Sequence, residues 1–211
     1  MRIARGLSIA VMIVTYAVLV HYVNASGQAS MLGAILALAP IFLLTATVAW
    51  QAKSRIAGTG LLLISCLAIW LAWPFVRQHT GLIFWIQDVG LMLVLLVTFG
   101  RTLQEDRKPL CVHFAEMVNG GVLPAEHERY AHKVTVAWVA FFAMMIITST
   151  LLFFLAPLAT WSIFVNFLTL PLVGLMFIAE FMVRRRVLID FPGGNILDAV
   201  RAYMNNSARI D

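Results

Sequence analysis

The residues whose types could support chemistry are concentrated in one polar segment, 100–133, which lies between long hydrophobic runs. This segment holds three of the five histidines, five of the ten acidic residues and five of the fifteen basic residues. Within it, His113 and Glu116 fall between the apolar positions of a short predicted helix. Histidine titrates near neutral pH, so either side chain could act as a general acid or base. We therefore take both as candidate catalytic residues.

A metal site is the competing interpretation of the same segment, because imidazole and carboxylate groups three to five residues apart can converge on one ion. The spacing does not match H-E-x-x-H, and no repeated Glu-x-x-His pair indicates a di-iron site. We predict no metal and no cofactor, and the alternative is a solvated loop whose charges bind lipid headgroups and neighbouring helices. The residues concerned are His113, Glu116, His127, Glu128 and His132.

The sequence also lacks the motifs of two common enzyme classes. It contains no G-x-S-x-G element and no glycine-rich loop that could cradle a phosphate. A serine hydrolase or a nucleotide-dependent enzyme therefore has no motif in its favour. Cys66 lies in an apolar run and Cys111 in the polar segment, so we predict no disulfide between them.

The composition is that of an integral membrane protein. Hydrophobic residues make up 62% of the 211 positions and charged residues 12%, whereas soluble domains carry about 25% charged residues. The hydrophobic residues form runs long enough to cross a bilayer. We predict an all-α fold with six transmembrane helices and short interfacial helices between the fourth and fifth. The predicted spans are 7–23, 31–50, 58–75, 82–99, 134–156 and 161–183.

The first hydrophobic run has a second interpretation as a cleaved signal peptide. Val23-Asn24-Ala25 resembles a small-residue cleavage site. The run is longer than the core of about 7–15 residues that signal peptides use, and we predict an uncleaved helix.

The distribution of basic residues predicts the orientation of the protein. The terminal segments, the loop after the second span and the segment 100–133 together carry fourteen Lys and Arg, and the other loops carry only Arg77. Basic residues concentrate on the cytoplasmic side, so both termini and the polar segment are predicted to be cytoplasmic. This bias also explains the net charge of +5, and we predict no nucleic-acid partner.

The polar segment is predicted to form two short helices. Pro109 suits the first position of a helix, and Asn119-Gly120-Gly121 can end it with a glycine cap. A second helix is predicted over 125–133, running into the fifth span. We assign 1–186 to one membrane domain and 187–211 to a cytoplasmic tail with a short amphipathic helix.

Two polar residues lie inside predicted spans and require partners. Asp88 is costly at its depth in the fourth span, and Arg77, His79 and His21 are its predicted partners. Asn166 is predicted to bond to a neighbouring helix.

Glu180 and Pro171 are the other features of the sixth span. Glu180 lies four residues before Arg184, which predicts an ion pair on one helix face. Because it should open toward the polar segment, Glu180 is a third candidate catalytic residue. Pro171 is predicted to kink the span.

The second half of the chain resembles an uncharacterised family of bacterial inner-membrane proteins. The resemblance covers 100–186 and rests on GRTL, on PLCVHFA after a basic residue, on LPAE with a tyrosine five residues after Ala125, on KVTVAWVAFF and on a final span with an inner glutamate followed by arginines. Its positions are Arg101, Pro109, Tyr130, Thr135, Trp138, Phe141, Phe142 and Glu180.

Members of that family are commonly encoded beside acyl carrier proteins, acyl-activating ligases and ketosynthases of aryl polyene or xanthomonadin-type pathways. The resemblance implies a lipid biosynthesis pathway at the bacterial inner membrane and an acyl carrier protein as partner, but no particular reaction. Membrane lipids are the second predicted partner. The candidate partner- or lipid-binding residues are Arg101, Arg107, Lys108, Tyr130 and Trp138.

Three functions follow as hypotheses. The first is an accessory protein that docks acyl-carrier-linked lipid or polyene biosynthesis at the cytoplasmic leaflet. The second is an integral-membrane acyl or lipid transferase that uses His113, Glu116 or Glu180. The third is a small lipid exporter or flippase, for which Asp88 and Pro171 are the sequence features. The sequence leaves open whether the protein is an enzyme, and it leaves the oligomeric state open.

Overall fold

The computed structural model of the protein describes residues 2–26, 31–52, 54–104, 108–119 and 124–187, and within these ranges it contains only helices and the turns between them. Arg107 and the predicted tail helix lie outside the described residues. The helices in chain order are α1 (Arg2–Ser26), α2 (Met31–Gln51), α3 (Arg55–Gln78), α4 (Thr80–Arg101), α5 (Leu110–Asn119), α6 (Ala125–Leu155), α7 (Leu158–Ile163), a π-helical segment (Phe164–Leu168) and α8 (Thr169–Val187).

The prediction of an all-α protein with six spans is confirmed. Over the described ranges, six helical stretches are long and apolar enough to cross a membrane, the last of them running continuously from Leu158 to Val187. Helices suit this role because each satisfies its own backbone hydrogen bonds where no water is present.

Helix α6 is longer than a bilayer core requires. Its 31 residues extend about 46 Å at about 1.5 Å per residue, against a hydrocarbon core about 30 Å thick. The charged residues of α6 all lie between Glu126 and Lys133, in its first turns, so we infer that this end is the part that extends beyond the hydrocarbon. The prediction that a helix over 125–133 runs into the fifth span is confirmed.

The link between the fifth and sixth spans is shorter than the four residues, 157–160, that separate the predicted spans. Thr160 lies inside α7, which begins at Leu158 and has no side-chain cap. Pro157 precedes the helix with φ of −58°, a value that already suits a helix start, and its carbonyl accepts the Thr160 amide at 2.9 Å.

The chain forms two compact units, and each is described separately. Unit 1 comprises Met1–Val89 and Thr148–Leu170, and unit 2 comprises Gly90–Ile147 and Pro171–Asp211. The core of unit 1 includes residues of α1, α2, α3, α4 and α7, so the first helix is an integral part of the packing. Its buried members are Val20, Ala34, Ala37, Val76, Phe84 and Trp161.

Asp88 belongs to a hydrogen-bonded chain inside unit 1. The Ser149 hydroxyl donates to Asp88 Oδ2 at 2.6 Å, and the Trp161 indole donates to Ser149 Oγ at 3.1 Å. An indole nitrogen can only donate, so it orients the serine proton toward the carboxylate. The predicted basic partners do not form ion pairs with Asp88 among the described residues. His21 contacts Ser162 Oγ at 3.2 Å, and His79 contacts the Phe75 carbonyl at 3.1 Å.

The prediction that Asn166 bonds a neighbouring helix is wrong. Its amide donates within its own span, to the Ser162 carbonyl at 2.9 Å and to Ser162 Oγ at 3.0 Å. Asn166 lies in the π-helical segment Phe164–Leu168, which precedes Pro171 in sequence. Pro171 itself lies inside the continuous helix α8, so the departure from α-helical geometry comes before the proline. The carbonyl and hydroxyl oxygens of Ser162, one turn back, therefore accept from the asparagine side chain without a second helix.

Helices α2 and α3 approach each other closely at one glycine. A Cβ atom built on Gly58 would lie 2.5 Å from the Ala49 carbonyl oxygen, whereas a Cβ on Gly60 meets nothing within 4 Å. Only the absence of a side chain at Gly58 permits this backbone approach, as is common between membrane helices.

We expect Gly58→Ala to destabilise the protein by about 1–3 kcal/mol, because the added methyl must displace the backbone. Gly60→Ala is the matched control and should be neutral or stabilising by about 0.5–1 kcal/mol, since glycine disfavours helix interiors. The measurement is the midpoint of thermal aggregation in detergent, followed by size-exclusion chromatography. Equal midpoints for the two variants would contradict the close approach.

Candidate functional site

Helix α5 is fixed to its surroundings by hydrogen bonds at its first residues. The Leu110 amide donates to Thr102 Oγ1 at 3.0 Å, and the Cys111 amide donates to Thr135 Oγ1 at 3.2 Å. The first amides of a helix have no acceptor within their own helix, so the two threonine hydroxyls supply the missing hydrogen-bond acceptors. A ten-residue helix would be marginal by itself in water, so this anchoring determines where it lies.

Apolar packing reinforces that anchor. Val112 is fully buried against Ala131 of α6. Thr135 is also fully buried and donates to the Ala131 carbonyl at 3.0 Å while it accepts from α5. The short helix predicted to begin at Pro109 is confirmed, with its first residue at Leu110, and Thr135 acts as its structural support.

The opposite side of α5 is exposed. His113 is exposed, as are Phe114 at 49% and Met117 at 37%. Lys108 donates to both oxygens of Glu116, at 2.8 and 3.0 Å, and this contact raises the pKa of the lysine amine. Of the candidate catalytic residues on α5, Glu116 is thus held in an ion pair, and His113 is open to the surroundings.

Glu180 connects α6 and α8 within unit 2. The Tyr130 hydroxyl donates to the Glu180 carbonyl oxygen at 3.0 Å and lies 3.4 Å from its Oε1. Arg184 Nε lies 3.6 Å from the same Oε1, which confirms the predicted ion pair. Glu180 is therefore engaged by a phenol and a guanidinium. The Tyr130 contact joins α6 to α8, whereas the Arg184 ion pair lies within α8.

A cleft of about 690 Å³ lies between α6 and α8 beside this contact. That volume is within the range of about 300–1,000 Å³ typical of small-molecule sites. Its α6 wall is Glu126, Arg129, Tyr130, Lys133, Val134 and Ala137. Its α8 wall is Met176, Ala179, Glu180, Val183 and Val187.

A second, smaller cavity of about 330 Å³ lies between the start of α5 and α6. Glu128 and His132, which are four residues apart on α6, both line it. His113 and Glu116 line neither cavity. The lining residues are Pro109, Val112, Glu128, Arg129, His132 and Lys133.

Trp138 is buried, although it was a candidate for partner or lipid binding. It is 6% exposed and packs against Phe177, with ring centroids 4.7 Å apart. Phe141 and Phe142 are buried beside it. A side chain covered in this way is not available to a partner, so these positions of the resemblance are packing positions. Arg101, by contrast, is exposed at the end of α4.

The described residues hold no group of three or more His, Cys, Asp or Glu arranged to bind a metal ion. Both cysteines are free thiols, Cys66 exposed and Cys111 half-buried. No family model matches the sequence, and neither a curated protein nor a solved structure matches it. The geometry of unit 2 is therefore the basis for any functional proposal.

The cleft residues Arg129, Lys133, Met176 and Val183 were not among the predicted site residues. The sequence does carry a signal for them. Counted from Glu126 in α6 and from Met176 in α8, cleft residues recur three, four, seven and eleven positions later, and this spacing defines one face of each helix. That spacing identifies the faces but does not say that they meet.

Burial raises the pKa of the Cys111 thiol, and the nearby Glu180 carboxylate raises it further, while Thr135 opposes the shift. Only the thiolate reacts with alkylating reagents. In a Cys66→Ser background, we expect alkylation of Cys111 to remain slow at pH 8. It should accelerate only when the pH rises above the ordinary pKa of a cysteine thiol, about 8.5. The check is mass spectrometry of the protein across a pH series, and a rate that saturates below pH 8 would contradict this assignment.

Proposed function

We propose that the protein is an accessory membrane protein that docks soluble acyl-carrier machinery at the cytoplasmic leaflet of a bacterial inner membrane. The observation that carries this proposal is α5, a short helix anchored through Thr102 and Thr135 that leaves His113, Phe114 and Met117 exposed. A fixed helix with an exposed mixed face is suited to contact with a membrane surface or a partner protein.

Charge supports the choice of an acidic partner. Exposed basic residues of unit 2 lie at the end of α4, just before α5 and on α6, together with the exposed acids Glu126 and Glu128, and the basic residues would attract a negatively charged carrier protein. Acyl carrier proteins are the partner that the sequence resemblance implies, and the excess of basic residues supports a cytoplasmic position. The exposed basic residues are Arg101, Lys108, Arg129 and Lys133.

The other two hypotheses receive less support. Transferase chemistry would need an open site around its acid or base. His113 and Glu116 line neither of the two cavities described above, and Glu180, which lines the larger one, is already engaged by Tyr130 and Arg184. Export would need a responsive intramembrane carboxylate, and Asp88 is engaged by Ser149.

The decisive experiment measures binding of a purified holo-acyl carrier protein to the full chain in nanodiscs, using biolayer interferometry. We expect the double variant Arg101→Glu with Lys108→Glu to weaken binding, because it replaces two attractive charges with repulsive ones. The loss should shrink at high salt, where surface charges are screened.

Glu116→Gln is the matched control for the loss of the Lys108 ion pair. It removes the carboxylate charge from the same contact, although the amide oxygen can still accept from Lys108, and it leaves the lysine positive, so binding should be kept or strengthened. Equal weakening in Glu116→Gln would show that the local fold, and not the charge, matters. In cells, deletion of the gene should abolish the lipid or pigment of the pathway, and an unchanged product would refute the proposal.

A further inference from the structure

The cleft between α6 and α8 has a polarity gradient along its length. The contacts Tyr130 to Glu180 and Trp138 to Phe177 show that residues later in α6 meet residues earlier in α8, so the two helices run antiparallel. Ala137 and Met176 therefore form one end of the cleft, which is apolar. Glu126 and Val187 lie at the other end, where α6 carries its charges.

The charged end lies where headgroups would lie. Helix α6 is longer than the hydrocarbon core, and its first turns are the polar ones, so Arg129 and Lys133 fall near the interface. From Val134 onward the α6 wall is apolar. An amphiphile in the cleft would thus have its polar group and its chain matched to the surrounding bilayer.

The cleft lining carries two acids, Glu126 and Glu180, and two bases, Arg129 and Lys133. Glu180 is paired with Arg184, which lies outside the lining, so the remaining lining charges sum to one positive charge and favour an anion. Arg129 and Lys133 line the cleft four residues apart and form no ion pair with any described residue. Like charges at this spacing repel on a helix, and a phosphate between them would relieve that repulsion.

From this arrangement we propose that the cleft binds a glycerophospholipid. Its phosphate lies between Arg129 and Lys133, and one acyl chain follows Val134, Ala137, Met176 and Ala179. Val183 and Val187 are 49% and 57% exposed, so the cleft is open along α8 and the acyl chain of the lipid enters it from that side. The site is a lipid-binding site in its own right and does not depend on carrier docking.

The experiment uses phosphatidylglycerol with a photoactivatable diazirine in one acyl chain, added to the full chain in nanodiscs. Cross-linked peptides are then mapped by mass spectrometry. We expect labelling of 176–183. Two basic groups near a membrane surface together change apparent binding by roughly 30-fold, so Arg129→Gln with Lys133→Gln should reduce labelling steeply.

Arg185→Gln is the matched control, because it removes a positive charge from α8 outside the cleft lining, and its labelling should be unchanged. A diacylglycerol probe, which has the chains but no phosphate, should label weakly. Inorganic phosphate should not compete, because the acyl chain contributes to binding. Val183→Trp, at a half-exposed position, should block the cleft without removing a charge.

Equal labelling of the double variant and the control, or equal labelling by diacylglycerol, would overturn the proposal and indicate annular lipid. Competition by inorganic phosphate alone would also overturn it, by indicating a simple anion site. Carrier binding measured on the Val183→Trp variant separates the two proposals, because this substitution closes the cleft and leaves Arg129 and Lys133 in place. Lost lipid labelling with normal carrier binding is the result expected for two independent sites, and lost carrier binding in this variant would overturn their independence.

Discussion

Hydrocarbon offers no hydrogen-bonding partner, and the described structure depends on this constraint. Backbone groups meet it by forming helices, which is why long helices dominate the described residues. Polar side chains must find their hydrogen-bonding partners among other groups of the protein. In unit 1, Trp161 and Ser149 satisfy Asp88, and in unit 2, Tyr130 satisfies Glu180. Each of these bonds joins residues far apart in sequence, so the same contacts that remove unpaired polar groups also hold helices together.

The donor and acceptor roles in the hydrogen bonds from Trp161 to Ser149 and from Ser149 to Asp88 explain how the carboxylate is stabilised. Because the Trp161 indole only donates, the Ser149 hydroxyl is left to donate to the carboxylate, and Asp88 Oδ2 is its acceptor. The cost of a carboxylate at that depth is thereby reduced without a basic residue. This arrangement assigns Asp88 a structural role in unit 1, alongside the fully buried Trp161.

Helix α6 organises the candidate sites of unit 2 through two different faces. Ala131 and Thr135 hold α5 in place, while Tyr130, Lys133 and Ala137 form a wall of the cleft. One continuous helix carries both faces over residues 126–137. The proposed docking helix and the proposed lipid cleft therefore share α6 as a common support.

The sequence by itself determined the features that depend on local spacing. Hydrophobic runs determined the six spans, Pro109 indicated the start of α5 that the structure has at Leu110, and the four-residue spacing of Glu180 and Arg184 determined their ion pair. Only the tertiary structure decided that Asp88 bonds to Ser149, 61 positions away, that Trp138 is buried, and that the faces of α6 and α8 enclose a cleft. These features depend on how each helix is rotated and paired. In a chain that is apolar on nearly every face, hydrophobic periodicity carries little information about that rotation, because lipid and protein interior are equally apolar.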